Sequence, residues 1–496
     1  MTTTIIDCYT DEPAGLGVPP YLGTYPRYIY GRLKHDSRSE EIFYLTIDDI
    51  RLYRRYSSRI PETKPNSKTN INILNLTRNW SRTKEILSGT DRLIVILGVH
   101  VPGKYLSAVP GTLKEVLGYI EGLRCYKILT GPAATEHGTQ LEGGKFAKMP
   151  DKGAFDETIA DLVTDYDDIA KAAVKGAEIQ KQISDLRIAE IETGRGCTRY
   201  PGCSFCTEPL KHRLEFREQR DIHQEIKALI KNRIRHFRLG KQSCFYSYKS
   251  DGANCNTKEI EKLLKPISEM KPDVLHIDNA NPMMVDEPAT RLIVKYCTAG
   301  NTAAFGVESF DPDVQEKNNL NCNNEGIYKA VRIINKHGAA RGENGMPKLL
   351  PGINLLFGLI GENKGSFEHN ISWLKRFVDE SLLLRRINIR QVTPFEGTRL
   401  YSEAGSRFLK KNRKHYWKWR DSIRRSVDYP MLKLVTPAGI VLKQARAEVY
   451  DGKNTFCRQV GTYPLIIGVK QRLKLGSSYD LRITGHMLRS ITGEPA

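Results

Sequence analysis

The stretch "TGRGCTRYPGCSFCTEP" at residues 193–209 places Cys197, Cys203 and Cys206 within ten residues, spaced C-x5-C-x2-C. A closed structural zinc site takes four ligands, usually cysteine and histidine, and a disulfide takes two. Three thiolates with no fourth suit a metal centre that keeps one position open for another molecule. Gly194 and Gly196, just ahead, give the loop the backbone freedom to wrap such a centre. A zinc reading stands beside this one. With His212 the set becomes C-x5-C-x2-C-x5-H, three thiolates and one imidazole.

The elements that must hold this loop are legible as repeated strand–helix units from 186 to about 400. The strand candidates are "RIAEIETGRGC", "HFRLGKQSC", "DVLHIDNANP", "TAAFGVESF", "LLPGINLLFGLIGE" and "RINIRQVTPFEGT", each ending in polar or glycine-rich residues. Six successive units of this kind predict a partial (βα)6 barrel with its active residues on the loops after the strands. The third ends in His276, Asp278, Asn279 and Asn281, a polar cluster that serves either a site or the ordering of its own loop.

The first ~190 residues alternate in the same way. Residues 3–10, 40–55, 91–103 and 125–134 read as strands, the second running into a helix, and 111–123 has helical periodicity. This predicts a Rossmann-like parallel sheet over 1–185, with ligands at the carboxyl ends of its strands. The loops 15–25, 98–105 and 130–138 gather there. Residues 151–185, acidic and then helical, read as a connector to the barrel domain at 186–402.

The chain has 496 residues, 40% hydrophobic and 27% charged, as expected for a soluble protein of several domains. No apolar run approaches the ~20 residues that span a bilayer, so no membrane partner is expected. The other seven cysteines are scattered singly, which favours a reducing cytoplasm over a disulfide framework. A net charge of +19 points to a large anionic partner, nucleic acid or an acidic protein surface. Residues 405–425 hold nine Lys/Arg and one acidic residue, with Tyr416, Trp417 and Trp419 interleaved. They read as a basic helical segment (403–434), either a solvated face or a phosphate-contacting helix with stacking aromatics. The last residues, 435–496, alternate with period two between glycine turns and predict a small β-barrel.

The cysteine triplet and the motifs downstream of it resemble the radical S-adenosylmethionine (SAM) superfamily. Its usual spacing is C-x3-C-x2-C, so the first gap here is two residues longer. "FGVESFDP" (305–312) looks like the fourth-strand segment that contacts SAM, "LFGLIGE" (356–362) like the fifth-strand glycine motif, and "TPFEGTRLY" (393–401) like the P-x-x-G-T-x-L segment after the sixth strand. The resemblance implies a [4Fe–4S] cluster on Cys197, Cys203 and Cys206, with the fourth iron free to chelate SAM. It implies SAM contacts from Phe205, Gly240, Gln242, Asp278, Glu308 and Ser309. The Gly-Gly-Glu segment of many relatives is lacking after the second strand, where Gly240 and Gln242 stand instead.

The N-terminal domain is similar to that of the cobalamin-dependent branch. That likeness implies cobalamin contacts from Gly15, Leu16, Gly17, Tyr105, Gly131 and Pro132, without the D-x-H-x-x-G motif that would supply a histidine to cobalt. The final module resembles a TRAM domain in "VTPAGIVLKQARAEV" and "YDLRITGHMLRSITG". Methylthiotransferases acting on tRNA carry that module, but they need three further N-terminal cysteines, and only Cys8 and Cys125 precede residue 190. Taken together, the resemblance implies an archaeal C-methyltransferase of an unactivated sp3 carbon, served by a reductant such as ferredoxin. The substrate it suggests is a protein residue, such as a glutamine of methyl-coenzyme M reductase. A tRNA-modifying enzyme is the alternative, and an RNA-binding protein with a vestigial barrel is a third class.

Overall fold

The computed structural model describes residues 1–10, 21–36, 40–59, 74–98, 109–134, 141–142, 145–146, 152–252 and 254–496. The chain packs as two compact units. One comprises Met1–Glu190 with Glu218–His236, the other Ile191–Arg217 with Phe237–Ala496.

The first unit is built on β1 (Thr2–Asp7), β2 (Glu41–Thr46), β3 (Arg92–Ile96), β4 (Tyr126–Thr130) and β5 (Glu157–Ile159). Every pairing is parallel, and the order across the sheet is β2-β1-β3-β4-β5. This is the flavodoxin-like order, whose topological switch point falls between β1 and β3. Leu93 to Ile96 are all buried, as a parallel strand covered on both faces requires. The region read as a connector contributes more than a link. Glu157–Ile159 adds the fifth strand, and Tyr166–Gly176 is a helix packed on another, Thr24–Asp36. A three-residue strand opening on glutamate is too short to show a period. The second helix begins inside the stretch 15–25 that the glycines and prolines mark as loop.

In the second unit, strands stand at all six expected positions: β6 (Ile188–Glu192), β7 (His236–Gly240), β8 (Val274–Ile277), β9 (Asn301–Glu308), β10 (Leu349–Phe357) and β11 (Arg386–Gln391). The boundary between the units runs through β6 and β7. The strands fall into two sheets rather than one, with β8-β7-β6 in the first and β9-β10-β11, all parallel, in the second. Asn279–Ala280 pairs parallel with β9, so a single run of chain interrupted at Asp278 belongs to both sheets.

The basic segment is a helix, Arg407–Ile423, that passes through a π turn, Arg424–Asp428, into the helix Tyr429–Val435. The C-terminal strands are β12 (Val441–Asp451), β13 (Asn454–Arg458), β14 (Ile467–Val469), β15 (Ser478–His486) and β16 (Ile491–Pro495). They close a barrel in the order β12-β13-β14-β16-β15, with β14 and β16 parallel and the other pairs antiparallel. A five-stranded barrel in which the fourth and fifth strands exchange places has the order of an OB-type barrel.

Candidate active site

The cysteine loop follows β6 and is fixed at both ends by local chemistry. Gly194–Arg195 pairs antiparallel with Glu215–Phe216. Gly196 has φ +79°, and a Cβ there would lie 2.4 Å from the Arg213 carbonyl oxygen, so only glycine serves. Its N–H donates to Glu208 Oε1 at 2.8 Å.

Beyond the turn the loop is tied down by an asparagine pair after β9. Ser204 donates its backbone N–H to the Asn318 carbonyl (2.9 Å) and its hydroxyl to Asn318 Oδ1 (2.6 Å). Arg199 donates two bonds of 2.7 Å to the carbonyl and Oδ1 of Asn319, whose Nδ2 reaches the Pro201 carbonyl at 2.9 Å. The P-x-x-G-T-x-L segment supplies the third tie, because the N–H of buried Leu400 donates to the Ser204 carbonyl at 2.8 Å. Two segments far apart in sequence thus meet on Ser204, between Cys203 and Cys206.

The three sulfurs share one electrostatic neighbourhood. Burial pushes the Cys203 thiol up to about 11, with Arg199 opposing and Glu308 and Cys197 adding to the rise. Burial likewise pushes Cys206 up to about 12, helped by Cys203, Glu208 and Cys197. The Cys203 sulfur accepts the backbone N–H of Asn321, and the Cys206 sulfur that of Glu208. Such N–H donors to thiolate sulfurs stabilise the charge and tune the reduction potential of an iron–sulfur cluster. The donor set therefore fits a cluster held by three thiolates. Cys206 and Cys203 hold their protons without a metal, so loading must release them.

The zinc reading loses its fourth ligand. His212 Nδ1 lies 3.1 Å from Glu208 Oε1, and among the described residues no three His, Cys, Asp or Glu side chains are placed to hold one metal ion. A cubane spreads its thiolates over three irons and asks for wider spacing than a single ion.

Beside the loop, Glu308 ends β9 at φ +61°, a conformation that non-glycine residues adopt at a cost of about 1–3 kcal/mol. Burial pushes its carboxyl up to about 8, and only the Arg390 charge opposes this. A buried carboxyl in range of Cys203 suits a cationic ligand, such as the amino group of SAM, which would draw the proton off. Phe205 packs on the apolar cluster of Val314, Leu320, Leu359, Val392 and Leu400.

The other expected contacts are committed to the protein. Gln242 is buried and accepts the Thr193 hydroxyl at 2.6 Å, while the Gly240 carbonyl accepts Thr193 N–H at 3.2 Å. The Ser309 hydroxyl accepts the Asp311 N–H at 3.1 Å. Asp278 Oδ1 accepts the Tyr463 hydroxyl at 3.0 Å. The segment "NLNCNNEG" (319–326) resembles an asparagine-rich segment of relatives, but sequence reasoning missed Arg199, Asn318, the anchoring role of Asn319, and any role for a fourth cysteine, Cys322. The last lies in charge range of Glu308 and Cys203 and donates to the Val307 carbonyl at 3.3 Å. An asparagine-rich stretch after β9 was the available signal; its partner in the loop was not.

In the first unit, Gly15, Leu16, Gly17 and Tyr105 lie outside the described residues. Gly131 and Pro132 follow β4, Gly131 at φ +91°. Beside them the Thr130 hydroxyl is buried with no hydrogen-bond partner among the described residues. The end of β1 is closed by its own network. The Tyr9 hydroxyl donates to Asp48 at 2.7 Å, Tyr44 donates to Asp7 at 2.9 Å, and Arg51 pairs with Asp48 at 3.0 Å and Glu115 at 2.7 Å. Cys8 is buried there, and burial raises its thiol far above the ordinary range, so it stays neutral. An orphaned hydroxyl and glycine-lined strand ends fit a polar ligand lying over the carboxyl edge of the sheet.

Residues 191–374 match the radical SAM superfamily. An uncharacterized protein of Methanocaldococcus jannaschii is 41% identical over 99% of this chain and 92% of its own length. One from Archaeoglobus fulgidus is 38% identical over 100% of this chain and 90% of its own. Among solved structures, the apo form of the cobalamin-dependent SAM radical enzyme OxsB superposes with a TM-score of 0.50 at 12% identity, over 86% of this chain and 58% of that one. The radical SAM methyltransferase TsrM from Kitasatospora setae gives 0.49 at 13% identity, over 80% of this chain and 73% of that one. At 12% identity the likeness to OxsB is one of fold. Among the described residues no helix is long and apolar enough to cross a membrane.

Proposed function

We propose that this chain, which belongs to one family with the two archaeal proteins and carries a radical SAM domain in its centre, is a cobalamin-dependent C-methyltransferase. The observation that carries the reading is the cysteine loop, with the Cys203 and Cys206 thiols desolvated together in charge range of Cys197 and the loop anchored by the segments after β9 and β11. A [4Fe–4S] cluster bound there would supply an electron to SAM. Cys197, Cys203 and Cys206 would hold three of its irons, and the Asn321 and Glu208 N–H groups would stabilise the sulfur charge. Glu308 would take the cationic end of SAM, and Phe205 would line the apolar side of the site.

Cobalamin is supported by the flavodoxin-like sheet, by the unpartnered Thr130 hydroxyl, and by likeness of fold to a cobalamin-dependent enzyme. Thr130, Gly131 and Pro132 are the described residues that would meet it. A ferredoxin-type protein would be the reductant. The sequence pointed to a protein residue as substrate, a glutamine of methyl-coenzyme M reductase. The order of the C-terminal barrel favours the other reading, RNA, because OB-type barrels are common oligonucleotide binders.

The test is anaerobic reconstitution with iron, sulfide and hydroxocobalamin, followed by gel filtration and incubation with SAM and a reductant. The protein should carry cobalamin through the column and release 5′-deoxyadenosine. Deoxyadenosine without retained cobalamin would keep the radical SAM assignment and overturn the methyl-transfer mechanism.

A further inference from the structure

In the second unit three arginines from two separate segments lie in charge range of a fourth, Arg489, on another. Arg386 opens β11, Arg420 and Arg424 lie on the basic helix and its π turn, and Arg489 sits between β15 and β16. The charges that act on Arg489 are those of Arg424, Asp428, Arg420 and Arg386, and those on Asp428 include Arg424, Arg489 and Arg386. The Asp428 carboxylate therefore feels three of these guanidiniums, and Arg489 feels Arg420 as well.

That carboxylate is already engaged. Arg424 pairs with Asp428 and donates from the same nitrogen to the Ile387 carbonyl at 2.7 Å, while its Nε is buried with no partner. Arg386, Arg420 and Arg489 form no ion pair among the described residues. Next to Arg386, Arg385 gives one nitrogen to the Tyr463 carbonyl and leaves Nε buried and unpartnered. Burial and the Arg386 charge pull its guanidinium down to about 9. Like charges gathered at low dielectric repel, and a fold that gathers them gains most when an anion sits among them. Guanidinium forks match phosphate oxygens two at a time.

Flat surfaces accompany the charges. Trp417 is 66% exposed, with the Arg420 guanidinium 5.2 Å from its ring centroid. Arg386 lies 4.2 Å over the Tyr463 ring. Exposed Met487 and Leu488 precede Arg489 in the same turn. Arg489 occupies the loop joining the fourth and fifth strands, one of the two loops by which OB-type barrels grip oligonucleotides.

We propose that Arg386, Arg420, Arg424 and Arg489 form a phosphate-binding site for single-stranded RNA, with Trp417 as the platform on which a base stacks. This rests on the enzyme reading only in making that RNA the substrate; the binding site stands or falls by itself. The probe is a fluorescent single-stranded oligoribonucleotide of mixed sequence, titrated with the full-length reconstituted protein at several salt concentrations. The Arg420→Glu, Arg489→Glu double variant should bind at least about tenfold more weakly. Its dependence of log affinity on log salt should be shallower by about 1.4, since each lost single-strand phosphate contact removes about 0.7. The control, Lys329→Glu with Lys375→Glu, makes the same charge change at exposed positions on two other helices and should lose less than about threefold. Equal losses in both double variants would mean diffuse attraction to net charge and would overturn the site. So would a poly-glutamate peptide that displaces the RNA at equal charge concentration, which would point to an acidic protein instead. Arg489→Gln alone, in an exposed loop, keeps the test readable if the double variant folds poorly, and it should also weaken binding and flatten the slope. Loss of deoxyadenosine formation with RNA binding intact would break the enzyme reading and leave this site standing.

Discussion

The cysteine loop and the basic helix look alike in the sequence, each a dense run of one chemistry, yet the molecule builds them in opposite ways. The loop's polar groups are satisfied by the protein itself: asparagines 318 and 319, Leu400 and Glu208 account for its turns. The helix turns Tyr416 and Trp419 inward and most of its cations outward. Tyr416 and Trp419 are buried, Trp419 stacked on Phe367 at 5.3 Å, while Trp417 faces solvent. The expectation of three stacking aromatics is thus corrected to one. A site that must hold an inorganic cluster in one geometry needs every neighbour fixed; one that meets a large anion can leave its charges unpaired.

Substitution of the two tryptophans sharpens the contrast, and the largest effect belongs to the buried one. Trp419→Ala should cost about 3–5 kcal/mol of stability in denaturant unfolding, as loss of a core aromatic does. Trp417→Ala should change stability by less than about 0.5 kcal/mol, but weaken binding of single-stranded RNA by about 1–3 kcal/mol if a base stacks there. Equal, small effects from both would erase the distinction between the two faces of the helix.

A smaller effect tests how the helix is joined to the strand ends. Glu362 follows the glycine turn after β10, accepts the Gly358 N–H at 2.8 Å, and accepts Asn412 Nδ2 of the helix at 2.8 Å. Burial raises its carboxyl from 4.5 to about 7. The folded state therefore keeps a proton that the unfolded chain releases, so this group's contribution is full below pH 4.5 and is lost as pH rises through about 7. Glu362→Gln should flatten the dependence of stability on pH across that window. An unchanged slope would show that Glu362 is ionised in the fold.

Much of this was legible in the sequence, for a physical reason. Strands such as Arg92–Ile96 are continuous apolar runs, and the triplet's spacing shows its chemistry directly. The burial of Tyr416 and Trp419 was also present, in the helical spacing of Asn412, Tyr416, Trp419 and Ile423. The arginine site was not, because Arg386 and Arg489 join it only when strands more than a hundred residues apart are brought together. Glu157–Ile159 was hidden by its length, and the exchange of β15 and β16 in the barrel is a matter of pairing, which local pattern does not encode. For Gln242 and Ser309 the chain pattern places the residue at a strand end but is silent on where its hydrogen bonds go.

The most direct test of the account is the metal content of protein reconstituted anaerobically with iron and sulfide. The wild type should hold about four irons per chain, as a single cubane requires, and the Cys197→Ala, Cys203→Ala, Cys206→Ala variant almost none. One zinc and no iron in the wild type would contradict the central claim.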